Sequence, residues 1–449
     1  MWLLGGDFAL VFFESIFSRF IPLYLKELQA SNFMIGVTTG SIAGIVNFFF
    51  LPGISRWSDR YRSKLGRRIP FLLWTAPITT VSLILIGFAP EIGKWIHTTI
   101  TSPFIPKLSQ TSVILGLLCL LVVIFHFFNM VLVNAFNWLV RDVVPHDIIG
   151  RFLSWFRIVG TLSTCLFLWY VFPYVLDHRK EVCVGVGVLY TIIFLVMCFK
   201  IKEEEYLPPE EIPVQSTLKS FGRYFNECLR TPMYRNFFIA NTLTIAAIAS
   251  SGPFLMLFSK ETLGLEMNTI GQIFAWGSLA TAVFYFGIGW VCDRSNPILV
   301  SIYGALGSSF SMIVAYFWVH EERGWLFFSI VSTLPTVAWG LGSVTTAIFI
   351  FPKEKFGQFS SGMNVFGYGA LIFFNSVIGQ VIDLSSGNYR LILAWSFILF
   401  FLAFIFMMRV FRSWKSMHSP LATPSSDQQN DLSLPTEDLS CASKLQKPA

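Results

Sequence analysis

The chain has 449 residues, 54% of them hydrophobic and only 13% charged, and it carries 48 Phe and 14 Trp. So few charges, with a mean hydropathy of +0.63, exclude an ordinary soluble enzyme and describe a chain surrounded by lipid. The net charge of +6 then reads as membrane topology and gives no reason to expect a nucleic-acid partner.

Apolar runs of ~20 residues, enough to cross the hydrocarbon core, recur at 2–25, 33–54, 70–90, 111–140, 151–175 and 182–199. Six more follow at 236–258, 269–291, 297–318, 324–350, 358–382 and 389–410. The prediction is an all-α membrane protein of about twelve transmembrane helices. Asp7, Glu14 and Arg19 interrupt the first run, and it lacks the basic leader of a signal peptide. An ionisable group at mid-span costs ~2.5–3.5 kcal/mol on insertion scales, which makes each a functional candidate. Glu14 is the candidate to take up and release a proton. Asp7 lies on nearly the same helical face, about 10 Å away along the axis. Arg19 reads as structural or interfacial.

Between the second and third runs, residues 53–70 set Arg56, Arg60, Arg62, Lys64, Arg67 and Arg68 against the lone acid Asp59. A short loop so basic stays on the cytoplasmic side. Most of the 32 lysines and arginines then fall on that side too, with both termini cytoplasmic. Asp59 closes the second helix, where the N-terminus of the eleventh, near Gly357 to Ser361, should face it. A helix dipole favours a carboxylate there by ~0.3–1 kcal/mol. The expectation is a cytoplasmic latch between halves, with Arg60 or Arg141 as the cation beside Asp59, that breaks when the inside opens. Arg62 and Lys64 need do no more than anchor topology.

The fourth run carries His126, Asn129, Asn134, Asn137 and Arg141, which at ~100° per residue fall within a sector of about 140°. A polar seam that long faces a watery cavity. Imidazole ordinarily titrates near neutrality, so His126 joins Glu14 and Asp7 as a candidate coupling group, although a lone His also serves in packing. In the fifth run, the guanidinium of Arg157 can fork onto adjacent hydroxyls or a carboxylate, or pair with Glu14 or Asp7. The seven Cys form no CxxC pair, and neither a metal site nor a cofactor is indicated.

Residues 200–235, with Glu203-Glu204-Glu205 and Pro208-Pro209, divide the runs six and six and read as a linker. Beyond Ser416 the chain is polar and predicted to be a disordered tail. The expected organisation is a bundle at 1–199, a cytoplasmic linker at 200–235, a second bundle at 236–415 and a tail at 416–449. In the second bundle Trp276 and Trp339 lie inside spans, each able to stack on a ring or to pack.

The halves echo each other. Gly53, Asp59 and Arg60 recur at one interval as Gly287, Asp293 and Arg294, after the second span of each half. Pro145, Gly150 and Phe152 recur as Pro352, Gly357 and Phe359, before the fifth span of each half. By the same interval Asn364 is the counterpart of Arg157. Two echoes at equivalent places imply two pseudo-symmetric six-helix bundles and alternating access to a site between them near mid-membrane.

The pattern Gly53…Asp59-Arg60…Gly66-Arg67-Arg68 resembles the loop motif of the major facilitator superfamily. The longer string Ser58-Asp59-Arg60…Ser63…Gly66-Arg67-Arg68…Pro70-Phe71 is similar to that of the glycoside-pentoside-hexuronide/cation symporters and sucrose-type carriers. Asn137-Trp138-Leu139-Val140-Arg141-Asp142 resembles their fourth-to-fifth helix connection. The resemblance implies a carrier of a sugar or glycoside. Sucrose carriers place a coupling Asp on the fourth helix, and counting back from Asp142 by their spacing lands on His126. Melibiose-type carriers have a sugar-binding Arg at a position similar to Arg157. They also use acids on the second helix for sodium, and residues 33–54 here hold none, so the coupling ion expected is H+. Nucleosides, organic acids and peptides remain alternative solutes. No GxSxG, HExxH or P-loop supports an enzyme. The partners expected are a small solute and the bilayer, for a monomer in a bacterial inner membrane or a plasma membrane.

Overall fold

A computed structural model describes residues 1–102, 107–145, 148–203, 229–352 and 355–417, with the backbone alone at 149–151. The expected linker and tail fall mostly outside those residues. Among the described residues, twelve helices are long and apolar enough to cross a membrane. In the first half they are α1 (Trp2–Glu27), α2 (Asn32–Arg60), α3 (Ile69–Gly87), α4 (Gln110–Val143), α5 (Phe152–Tyr174) and α6 (Arg179–Lys200). In the second they are α7 (Pro232–Thr262), α8 (Met267–Arg294), α9 (Pro297–Trp318), α10 (Glu322–Ile350), α11 (Phe356–Leu384) and α12 (Leu391–Met417). Each boundary lies within four residues of the apolar run that announced it, except that α2 and α12 run on six and seven residues past the ends of theirs.

Local chemistry sets several starts. Ser31, Ser109 and Asn296 open α2, α4 and α9 by accepting the N–H of Met34, Ser112 and Ile298. These side chains satisfy N–H groups that a helix leaves without partners in its first turn. Prolines sit in the first turn of α3, α7 and α9, where a missing N–H costs nothing.

The packing repeats between halves. Helix α1 packs on α5 and α6, α2 on α4, and α3 on α4 and α6. In the same way α7 packs on α11 and α12, α8 on α10, and α9 on α10 and α12. The halves meet through α2 with α11, α5 with α8, and α1 with α7. Exchanging the halves turns the first two contacts into each other. The fold is therefore two pseudo-symmetric six-helix bundles. Helices α1 and α12 begin and end on one side, here the termini face; the opposite side is the far face.

Close approach of α2 and α11 depends on Gly36, Gly40 and Gly44, one helical turn apart. A Cβ on Gly36 would collide with the carbonyl of Asn375, and one on Gly40 with the Asn375 side chain. Small residues at this spacing let membrane helices touch backbone to backbone.

Candidate functional site

A cavity of about 700 Å³ lies between the bundles, lined by α1, α2, α4, α7 and α8. Its two walls differ in chemistry. The first half contributes Glu14, Ser18 and Arg19 from α1, Thr39 and Asn47 from α2, and His126, Asn129 and Asn134 from α4. The second half contributes Ile248, Gly252, Pro253, Met256 and Phe274.

The polar wall is wired by a few short contacts. Asn129 donates from Nδ2 to Oε1 of Glu14 at 3.0 Å. His126 Nε2 lies 3.3 Å from the carbonyl oxygen of Thr38. A carbonyl only accepts, so Nε2 holds the proton of the neutral ring and Nδ1 keeps its lone pair. Thr38 belongs to a π-helical turn, Val37–Ser41. Phe17 stands edge-on to the imidazole at 4.9 Å between ring centres. Asn47 and Asn134 donate to Ala43 and Met130 of their own helices at 2.8 Å, which leaves their Oδ1 atoms to accept. Neither Glu14 nor Arg19 has an ion-pair partner among the described residues.

The other sequence candidates lie elsewhere. Asn137 and Arg141 are exposed and carry the α4 seam from the cavity toward the termini face. Asp7 is buried at 3% exposure, with Oδ2 unpartnered and directed at Gly160 of α5. Arg157, also on α5, is exposed and is the cation whose charge acts on Asp7. Asn364 is exposed on α11 and off the cavity wall. Trp276 meets Trp169 of α5 edge-on at 5.8 Å. Trp339 is buried at 3% exposure, its backbone against Gly304 of α9. Neither Trp lines the cavity. Helical spacing located the α4 seam, but it left open which way isolated residues on other spans would turn. Arg19, Asn47 and Thr39 reach the wall although the sequence did not single them out for it.

At the termini face the basic loop folds onto its own half. Arg68, 5% exposed, donates to Asp59 at 2.5 Å, Ser58 at 2.7 Å and Asp142 at 3.2 Å, and stacks 4.9 Å over Trp138. Arg67 makes a forked pair with Asp142 at 2.8 and 3.1 Å. Glu203 accepts the N–H groups of Arg67, Arg68 and Ile69, closing the start of α3. Gly66 has φ +103°, and a Cβ there would strike Glu203, so the loop needs glycine at that place. The partner of Asp59 is thus Arg68, where Arg60 or Arg141 was expected. Arg60, Asp293 and Arg294 are exposed, with Arg294 stacked 4.1 Å over Trp290, and a Cβ on Gly53 would meet open space.

The far face carries a tie between halves that the sequence reading missed. Asp383, at the end of α11, accepts the backbone N–H groups of Asn32 and Phe33 at 2.9 and 2.8 Å. It also accepts Asn32 Nδ2 at 2.8 Å, while Tyr389 donates to Asn32 Oδ1 at 2.7 Å. Ser41 and Ser376 add a hydroxyl pair at 2.9 Å. On the pseudo-symmetric side, Cys165 donates to the carbonyl of Ala275.

Residues 3–373 match the Major Facilitator Superfamily. The chain belongs to that superfamily. It is a multi-pass membrane transporter rather than an enzyme. Among curated relatives it is 36% identical over 78 residues to the sucrose transport protein SUT5 of Oryza sativa subsp. indica, covering 17% of this chain and 14% of that protein. It is 41% identical over 54 residues to the sucrose transport protein SUC3 of Arabidopsis thaliana, covering 12% and 9%. The matched segments are thus a small part of either relative. The nucleoside transporter NupG superposes with a TM-score of 0.67 at 15% identity over 92% of this chain and 99% of that one. A bacterial homologue of the iron transporter ferroportin, in an inward-facing state, gives 0.68 at 14% identity over 91% and 97%. At these identities the likeness is one of fold.

Proposed function

We propose that this transporter carries a sugar or glycoside by alternating access, coupled to a proton. The observation that carries the reading is the convergence of Glu14, Arg19, His126, Asn47, Asn129 and Asn134 on one wall of the central cavity. Carboxylate, guanidinium, amides and imidazole are the donors and acceptors that a polyol meets in pairs, and the apolar wall opposite suits the C–H face of a ring. The sucrose-type loop motif and the partial likeness to sucrose transport proteins point the same way. Glu14, with one neutral donor and no cation partner, is the group proposed to hold the proton; His126 is the second. Asp7 and Arg157 are proposed to pair as the proton moves and so to steady α1 against α5. With the basic loop cytoplasmic, the termini face is the inside, and the protein works as a monomer in a bacterial inner membrane or a plasma membrane without a cofactor.

The test is uptake of labelled sucrose into proteoliposomes with and without an inside-alkaline pH gradient. Accumulation is expected to need the gradient and to vanish in Glu14→Gln, while sucrose counterflow persists. Gradient-independent accumulation, equal in both proteins, contradicts the coupling. Arg19 favours a second reading, an anionic solute, because it faces the cavity without a carboxylate partner among the described residues. Competition of sucrose counterflow by a panel of carboxylates separates the two.

A further inference from the structure

A second cavity of about 370 Å³ lies inside the C-terminal bundle, enclosed by α7, α8, α9, α10 and α12. It adjoins the central one, because Ile248, Gly252 and Phe274 line both. A Cβ on Gly252 would meet open space, so the junction has no side chain across it at that point. The volume lies within the range of small-ligand sites.

The lining has no charged residue. It is rich in hydroxyls, and most of their protons are already engaged. Ser251, Ser278, Thr281, Ser329, Thr333 and Thr336 each donate to a carbonyl of their own helix, at 2.6–3.1 Å. A hydroxyl has one proton and two lone pairs, so these six oxygens can now only accept. The same lining includes Tyr285, whose hydroxyl makes no hydrogen bond among the described residues. A phenol keeps one proton to give, so this lining also holds a donor without an acceptor. Oxygens waiting for donors, and a donor waiting for an acceptor, together describe a complement that does both.

These requirements select a chemistry. A carboxylate or phosphate would meet lone pairs and no cation; an ammonium would meet no anion. Either charge would be buried uncompensated. A neutral alcohol both donates and accepts. We propose that this pocket is a second subsite that takes a neutral, hydroxyl-bearing unit of the transported solute, whose other unit sits against Glu14 and Arg19. The solute is then a disaccharide or glycoside of at least two units. This rests on the sugar reading above and assigns its second half.

The experiment is equilibrium binding to the full-length protein in nanodiscs, using sucrose as a two-unit probe and methyl α-glucoside as a one-unit probe. Thr281→Val with Thr336→Val removes two accepting oxygens while keeping side-chain shape. Sucrose affinity is expected to fall about ten-fold, with methyl α-glucoside changed less than about two-fold. Tyr285→Phe, which keeps the ring and removes the O–H, is expected to act in the same direction. Gly252→Leu, which places a side chain in open space at the junction, guards against a folding artefact of the first variants. It too should weaken sucrose, and more than methyl α-glucoside, because Gly252 lines both cavities. Unchanged sucrose affinity in all three variants, or an equal loss for both probes, overturns the second subsite and leaves the central sugar site standing. Failure of both probes to bind the parent protein overturns the sugar reading and this proposal with it.

Discussion

Helices α2 and α11 lie antiparallel across the two halves, and each carries a carboxylate at its end, Asp59 and Asp383. At the far face Asp383 reaches across and takes the first N–H groups of α2. At the termini face Asp59 turns back to Arg68 of its own half. Asp383 thus answers to the partial positive charge of a helix N-terminus, and Asp59 to a guanidinium. Five ion pairs tie the first half to itself. The polar ties between halves described above all sit toward the far face. The halves are therefore fastened across the far side, with the self-contained Asp59–Arg68 cluster at the termini side, as suits an alternating carrier in one of its two states.

Breaking the self-contained end should hurt folding most. Arg68→Leu leaves Asp59, Asp142 and Ser58 without their shared donor, and losing one partner of a buried ion cluster costs on the order of 3 kcal/mol. The expected result is a lowered thermal midpoint and poor recovery from detergent. Recovery equal to the parent would show that the cluster is ornamental.

Breaking the fastened end should leave the protein folded and change its preference. Asp383→Ala removes three charge-assisted hydrogen bonds across the interface, an effect of about 2 kcal/mol on the balance between states. Maleimide labelling of a cysteine placed at Thr39 on the cavity wall, from the far face, should rise several-fold. A wedge at Gly40→Leu should act in the same direction through sterics alone.

Asp59→Asn sharpens the comparison. Its side chain is 51% exposed in this state, so thermal stability should change by less than about 1 kcal/mol. Labelling of the same Thr39 cysteine from the far face should fall, because the proposed latch of the other state is lost.

The smallest effect concerns Glu91, in the short helix Ala89–Ile96 at the far face, which accepts Lys180 at 2.9 Å. Burial pushes its carboxyl up, but the Lys180 hydrogen bond and the charges of Lys180 and Arg179 outweigh that, so it sits below its ordinary value of 4.5. The pair therefore contributes fully above the ordinary carboxylate range and fades as pH falls through the lowered value. Melting should show a slight acid-side loss that Glu91→Gln removes.

The fold was largely legible because apolar length and cation placement are global constraints. Twelve spans and two halves follow from them before any contact is known. The α4 seam was legible too, since four helical turns of polar residues leave one physically reasonable direction. Arg19 was harder: its sequence spacing from Glu14 suggested another face, yet both reach the cavity, whose breadth spans more of α1 than one stripe. Asp383 carries no motif and sits at a helix end, where an acid needs no explanation. The repeat Gly36, Gly40, Gly44 was the signal that could have exposed its neighbourhood, because it announces a helix pressed against α2. Trp276 and Trp339 show the converse: being aromatic and inside a span fixes nothing about direction.

The most direct test measures both ends at once. Spin labels at Glu27 and Leu384 report the far face, and labels at Arg60 and Gly357 report the termini face, in a background freed of native cysteines. Across sucrose, pH and the Asp383→Ala variant, the two distances should move in opposition, the far pair lengthening as the termini pair shortens. Both pairs lengthening together, or neither responding to Asp383→Ala, would contradict a carrier that fastens one end of α2 and α11 as it releases the other.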